Sequence, residues 1–200
     1  MSEHVQPLSE KFQSAMDYAF QLHKDQIRKG SNVPYISHLM AVTGLVLESD
    51  GDEDEAIAAV LHDAVEDQGG LATLEDIRRR FGEKVASIVK DCSDSFSTPK
   101  PPWRERKEKY LQKLETASPS VLKISLADKF HNIRSLYWAY LQQGEKTWDK
   151  FRGGKVGTLW YYHELSKAFH KHKANILLLE FDRYLELLDK EIGKYNKGEF

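Results

Sequence analysis

Apolar residues recur at three- and four-residue spacing along most of the chain, the period of amphipathic helices. Phe12, Met16, Ala19, Phe20 and His23 follow it and predict a helix over 9–25. A second helix is expected over 35–48, with Pro34 suited to its first turn. Ile57, Val60, Leu61 and Ala64 predict one continuous helix over 53–67. A short pair is expected at 73–80 and 83–92, broken at Phe81-Gly82, and a highly charged helix at 104–117. A long helix over 119–142 starts at Pro119, and two more cover 155–172 and 174–193. Strand signals are nearly absent, with no clean alternating run and no Asn-Gly turn. SDSFSTPKPPW (93–103) and QQGEKTWDKFRGGK (142–155) read as loops, because of their prolines and paired glycines respectively. The pattern predicts a single all-α domain over 1–200, a bundle of roughly eight or more helices.

Composition narrows the function. Of 200 residues, 40 % are apolar and 30 % charged, as in an ordinary soluble globular protein. A net charge of −2 supplies no global basic field to hold phosphate backbones, so no nucleic acid polymer is expected as partner. A local basic pocket for a small polyphosphate is compatible with it. Cys92 is the only cysteine, which excludes an internal disulfide and a thiolate zinc site and points to a reducing compartment. The start, MSEHVQPLSE, has no signal-peptide apolar core, and no run approaches the roughly 18 apolar residues of a membrane span. A cytoplasmic protein with no membrane partner is expected.

The unusual chemistry sits in LHDAVED (61–67), where His62, Asp63, Glu66 and Asp67 crowd a segment that otherwise reads as core helix. On a helical wheel of 53–67, His62, Asp63 and Glu66 lie opposite the apolar side, beside Ala58 and Ala59. That face is either solvated or half of a metal site. Alanines rather than Lys and Glu around it favour close approach by something else. His38 lies on an otherwise apolar helix, where a hydrogen-bonded core histidine is the plain alternative to a ligand. Asp128 also lies inside an apolar helix and needs a partner there. Lys129 and Arg134 are the obvious ones, but neither has the helical pairing spacing. Two imidazoles and two carboxylates would suit one Mn²⁺, Fe²⁺ or Zn²⁺ ion better than Ca²⁺.

The order H…HD…D on helices resembles the HD-domain metal-dependent phosphohydrolases, and most closely the hydrolase domain of RelA/SpoT-type enzymes and the stand-alone small alarmone hydrolases. Three motifs carry the resemblance: QIRKGSNVPYISH (26–38), LHDAVED (61–67) and LADKFHNIR (126–134). They fall within about residues 10–170, in the family's order. The resemblance implies His38, His62, Asp63 and Asp128 as ligands to one divalent metal, with Mn²⁺ the expected ion. It implies Glu66 and Asp67 as the acidic pair that handles protons and orients water. Arg28 and Lys29 match the basic pair that packs on the base and phosphates. Asn132 matches a ribose or phosphate contact, with Ser135 beside it, and Tyr35 has a packing role. Three positions depart from the pattern: Leu39 replaces a common Pro, Ser31-Asn32-Val33 replaces a Gly-containing loop, and Ser125 replaces a Lys. The first two touch the loop that shapes the nucleotide pocket and so bear on base specificity.

The implied activity is hydrolysis of guanosine 3′,5′-bis(diphosphate) at its 3′-linked phosphorus, releasing pyrophosphate. The partner is then a small-molecule nucleotide. The chain is too short for the synthetase domain of long RelA/SpoT-type proteins, so alarmone synthesis is not expected. Two alternatives stand beside this reading: an HD-family phosphatase acting on another nucleotide or phosphorylated dinucleotide cofactor, and a non-catalytic nucleotide sensor. A cyclic-dinucleotide phosphodiesterase is disfavoured, because HDAVED lacks the Gly-Lys that follows the dyad there. Further cations for a pyrophosphate are Arg104, Arg106, Lys107 and Lys109, balanced against a solvated helix face with Glu105 and Glu108, and then Lys155. Trp103, Trp148 and Trp160 are expected in packing rather than on a base, and His131, His163 and His170 outside the site. Phe181, Tyr184, Leu185, Leu188 and Ile192 form a stripe that reads as core, with a homodimer contact as the alternative.

Overall fold

The computed structural model describes residues 7–94, 99, 101–173 and 175–197, the last four by backbone alone. Residues 1–6 of the polar start and five of the eleven residues of the Ser/Pro stretch, 95–98 and 100, lie outside the described residues. The helices are α1 (Glu10–His23), α2 (Ile36–Glu48), α3 (Glu53–Val60), α4 (Ala64–Asp67), α5 (Gly70–Phe81) and α6 (Glu83–Cys92). There follow α7 (Trp103–Leu114), α8 (Pro119–Gln143), a 3-10 helix (Gly144–Lys150), α9 (Gly154–His170) and α10 (Ile176–Lys197). Among the described residues no strand forms, and Ile27 and Pro34 make one isolated antiparallel bridge. The all-α expectation therefore holds. No helix of the described residues is long and apolar enough to cross a membrane.

Three expectations need correction. Pro34 is not in the first turn of α2; it is paired with Ile27 in the preceding loop, and its carbonyl accepts from Ser37 N–H. The 142–155 segment is not all loop, since seven of its residues coil into the 3-10 helix. The single helix expected over 53–67 is two, α3 and α4, separated by a turn at 61–63 in which Leu61 has φ −104° and ψ 4°. No Gly or Pro marks that break.

Contacts divide the chain into two compact units, one of 1–101 with 117–125 and one of 102–116 with 126–200. In the first, α3 packs against α1, α2 and α6. Ala56 to Leu61 are all fully buried, so Ala58 and Ala59 do not line a wet face. Asp52 caps this helix by accepting from Glu55 N–H at 2.8 Å, while the Glu55 carboxylate accepts from Asp52 N–H at 3.0 Å. Glu55, itself buried, is neutralised by Lys123 at 2.7 Å, a residue from the start of α8. Gly82 ends α5 at φ 93°, a conformation that residues with a Cβ rarely adopt, and this explains the break between α5 and α6.

In the second unit α9 packs against α7, α10 and the 3-10 helix. Gly153 and Gly157 let the Trp103 ring lie against their backbone: a Cβ at Gly153 would fall 2.7 Å from it. Phe181, Leu185, Leu188 and Ile192 of α10 are buried, which supports the core reading of that stripe. Tyr184 sits edge-on to Phe130 and Tyr137.

Candidate metal centre

The turn between α3 and α4 gives His62 and Asp63 positions that a continuous helix would not. His62 is 3 % exposed and its Nδ1 lies 2.7 Å from the Ala59 carbonyl. A carbonyl only accepts, so Nδ1 carries the proton and Nε2 presents its lone pair. That Nε2 lies 3.1 Å from Oδ2 of Asp63. Nε2 of His38, on the first turn of α2, approaches the same oxygen at 3.6 Å. The two imidazoles meet edge to face, with centroids 5.2 Å apart.

One carboxylate oxygen thus faces two ring nitrogens. Oδ2 also accepts from the Tyr35 hydroxyl at 2.5 Å, so the role of Tyr35 is not packing alone. Two lone pairs facing each other repel unless a cation or an added ring proton lies between them. Burial alone would raise the Asp63 pKa, but the His62 and His38 rings hold it well below the ordinary carboxylate value. The donor set, buried imidazole nitrogens with a backbone-fixed tautomer beside a carboxylate, fits a divalent metal of borderline character.

Glu66 and Asp67, on α4, have different hydrogen-bond partners. Glu66 Oε2 accepts from the Asp94 N–H at 3.4 Å, whereas Asp67 Oδ2 accepts from the Gln26 side-chain amide at 2.9 Å. Gln26 Oε1 in turn receives the Gln68 amide and His23 Nδ1, both at 2.6 Å. Gln26, Gln68 and His23 were not singled out as site residues by their sequence pattern. The available signal was His23 at the end of a buried helical stripe, three residues before Gln26. Burial lowers the His23 pKa below its ordinary value, although the Gln26 hydrogen bond and the charges of Asp63 and Asp67 work the other way.

Arg28 and Lys29 lie in the loop between α1 and α2, Arg28 half-buried and Lys29 exposed. Arg28 N–H donates to the Val33 carbonyl at 2.9 Å, and Tyr35 N–H to that of Gln26 at the same distance, so the loop folds back on itself.

In the second unit, Asp128 of α8 is 7 % exposed. Its Oδ1 accepts from the Asn132 amide one turn later, and its Oδ2 pairs with Lys129. The expectation that spacing disfavours Lys129 is therefore wrong: its long stem reaches the adjacent carboxylate without needing to share a helix face. Burial opposes the Lys129 charge, but Asp128, Tyr110 and Tyr161 raise its pKa well above the usual value. The Ser135 hydroxyl donates to the His131 carbonyl at 2.8 Å. Among the other candidate cations, Arg104 pairs with Glu108, Lys109 with Glu105 and Lys155 with Glu145, each within 2.7 Å. These pairs fit a solvated face, and Arg106 is buried. Arg104 also stacks on Trp160, 3.2 Å from the ring centroid. His163 and His170 pair with Asp189 and Asp182.

Comparison with known proteins bears on this arrangement. The model of the HD domain family matches residues 15–158. A Drosophila melanogaster protein named guanosine-3′,5′-bis(diphosphate) 3′-pyrophosphohydrolase MESH1 is 34 % identical over 131 residues, 64 % of this chain and 70 % of the relative. An Aquifex aeolicus guanosine-3′,5′-bis(diphosphate) 3′-pyrophosphohydrolase is 32 % identical over 72 % of this chain, which spans only 20 % of that relative's length. A solved structure described as a metazoan ortholog of SpoT that hydrolyses ppGpp superposes with a TM-score of 0.75 at 26 % identity, covering 90 % of this chain and 96 % of that one.

Proposed function

The chain belongs to the HD domain family, and from that premise we propose that it is a metal-dependent hydrolase that removes pyrophosphate from the 3′ position of guanosine 3′,5′-bis(diphosphate). The observation that carries the reading is the convergence of His38 Nε2 and His62 Nε2 on one Asp63 oxygen, in a chain 34 % identical to a pyrophosphohydrolase of that specificity. His38, His62 and Asp63 hold the metal, and Asp128 is its fourth protein ligand, delivered by α8. All but Asp63 are buried, which suits ligands better than solvated groups. Mn²⁺ is the ion we assign. The two units together make up one hydrolase domain over 1–200, acting on a cytoplasmic nucleotide.

When bound, a divalent metal lowers the pKa of a water and polarises a phosphoryl oxygen. The protein supplies the remaining steps. Ala59 O fixes the His62 tautomer, and the Tyr35 hydroxyl holds Asp63 Oδ2 in place. Asp67, its carboxylate held by the Gln26 amide, receives the proton of the attacking water. Glu66, held from the Asp94 backbone, relays that proton. Arg28 and Lys29 meet the base and phosphates. Asn132 and Ser135 meet the ribose, in addition to their bonds within α8.

The test is product identification. Mn²⁺-loaded protein is incubated with guanosine and adenosine 3′-diphosphates and with 2′- or 3′-phosphorylated dinucleotide cofactors. Pyrophosphate from guanosine bis-diphosphate is expected. Orthophosphate from another nucleotide would overturn the substrate assignment, and binding without turnover under any metal would make the chain a sensor.

A further inference from the structure

The hydrogen bonds around Gln26 can be solved for their proton positions. An ionised Asp67 only accepts, so the Gln26 atom that faces it at 2.9 Å is the amide nitrogen. The amide oxygen therefore points the other way, where the Gln68 amide nitrogen and His23 Nδ1 both reach it at 2.6 Å. Oxygen accepts from both, so His23 carries its proton on Nδ1. The opposite nitrogen, Nε2, is buried and finds no hydrogen-bond partner among the described residues. The ring itself is 1 % exposed and stacks on Tyr35, with centroids 5.4 Å apart and planes 16° from parallel. Its plane is thus fixed by a group that also holds Asp63.

We propose that His23 is a positioning residue for the hydrolytic step: its Nδ1–H locks the Gln26 amide, and the locked amide aims the Asp67 carboxylate. Without His23 the amide keeps its bonds to Gln68 and Asp67 but loses one of the two donors to its oxygen, so the carboxylate it holds is aimed less firmly at the water. His23 itself touches neither substrate nor metal. The inference rests on the hydrolase reading for the role of Asp67, but the proton arrangement can be tested without it.

Two measurements decide it. Nitrogen-15 NMR of the imidazoles reads the tautomer directly, with no substrate. The Nδ1–H form of His23 is expected, and an Nε2–H form would overturn the lock whether or not the protein hydrolyses anything. The second measurement uses His23→Phe, which keeps a ring against Tyr35 but loses the donor, and His23→Asn, which puts an amide N–H near the place of Nδ1. In pyrophosphate release from guanosine bis-diphosphate, His23→Phe should lower kcat about 10- to 100-fold with KM unchanged, the usual effect of losing such a support. Mn²⁺ affinity, followed by calorimetry, should stay near wild type in both variants. His23→Asn should recover most of the lost kcat. An unchanged kcat in folded His23→Phe would sink the proposal, as would equal losses in the two variants. Inactive wild-type protein would count against the hydrolase reading alone, and the tautomer would still decide the lock.

Discussion

The residues assigned to the metal come from two differently built places. His62 and Asp63 sit in a turn, residues 61–63, between α3 and α4. Asp128 sits inside α8, an unbroken helix of 25 residues. In the turn, the backbone bends so that a ring nitrogen and a carboxylate of adjacent residues face each other. In the helix, adjacent side chains diverge by about 100°, and Asp128 is steadied by the next turn, through Asn132, and by a flexible lysine. A helix break can bring sequence neighbours onto one point, whereas a regular helix supplies one group at a time and braces it from i+4. In the turn a main-chain carbonyl fixes His62 and a tyrosine hydroxyl holds Asp63, whereas side chains of its own helix hold Asp128. Substitutions should therefore affect the two places differently.

The largest effect should come from the turn. Asp63→Ala removes the oxygen shared by both histidines, and both metal retention after desalting and pyrophosphate release should be lost. Full activity in that variant would break the assignment. Asp128→Asn comes next and acts differently. It leaves the Lys129 charge buried without its carboxylate, which should cost about 3–5 kcal/mol of stability in denaturant unfolding. Adding Lys129→Met should restore most of that stability but not the metal affinity. Recovery of both would show that Asp128 is a salt-bridge residue and no ligand. A smaller loss, about tenfold in Mn²⁺ affinity by calorimetry, is expected for Tyr35→Phe, which only frees Asp63 Oδ2 to move.

The smallest effect is a control outside both places. Asp76 on α5 is held at about 2, first by the Arg79 guanidinium and then by Tyr18 and Arg80. A depressed pKa stabilises the fold above the unfolded value of about 3.9, and that contribution disappears as pH falls toward 2. Screening reduces it to about 1 kcal/mol. Asp76→Asn should flatten the stability curve across that acid window and leave metal binding unchanged.

Much of this was legible in the sequence. The helical stripes of α1, α5, α6, α8 and α9 lie where their apolar spacing puts them, because each has one face to bury. The break at 61–63 was not legible. Residues 56–65 contain no helix breaker, so no local propensity marks the turn. A wheel that placed His62 opposite the apolar side assumed a continuous helix, whereas α3 ends at Val60 and His62 is buried as Leu61 is. The Asp128–Lys129 pair, named as an obvious one, was disfavoured because spacing rules describe Cβ positions and not the reach of a four-carbon stem. Gln26 and Gln68 escaped notice because a neutral amide has no charge to make it conspicuous. Their importance comes only from which atoms face them.

The two histidine tautomers differ in how they can be inherited. That of His62 is set by the Ala59 carbonyl, a main-chain atom that every amino acid at position 59 would provide. That of His23 is set by the side chain of Gln26, which a single codon change can remove. Over evolutionary drift His62, which we assign to the metal, is insulated from its neighbours' mutations, provided they remain small enough to fit. The proton-side network has no such insulation. On these assignments, descendants of this chain should change the Gln26 network well before the His62 tautomer.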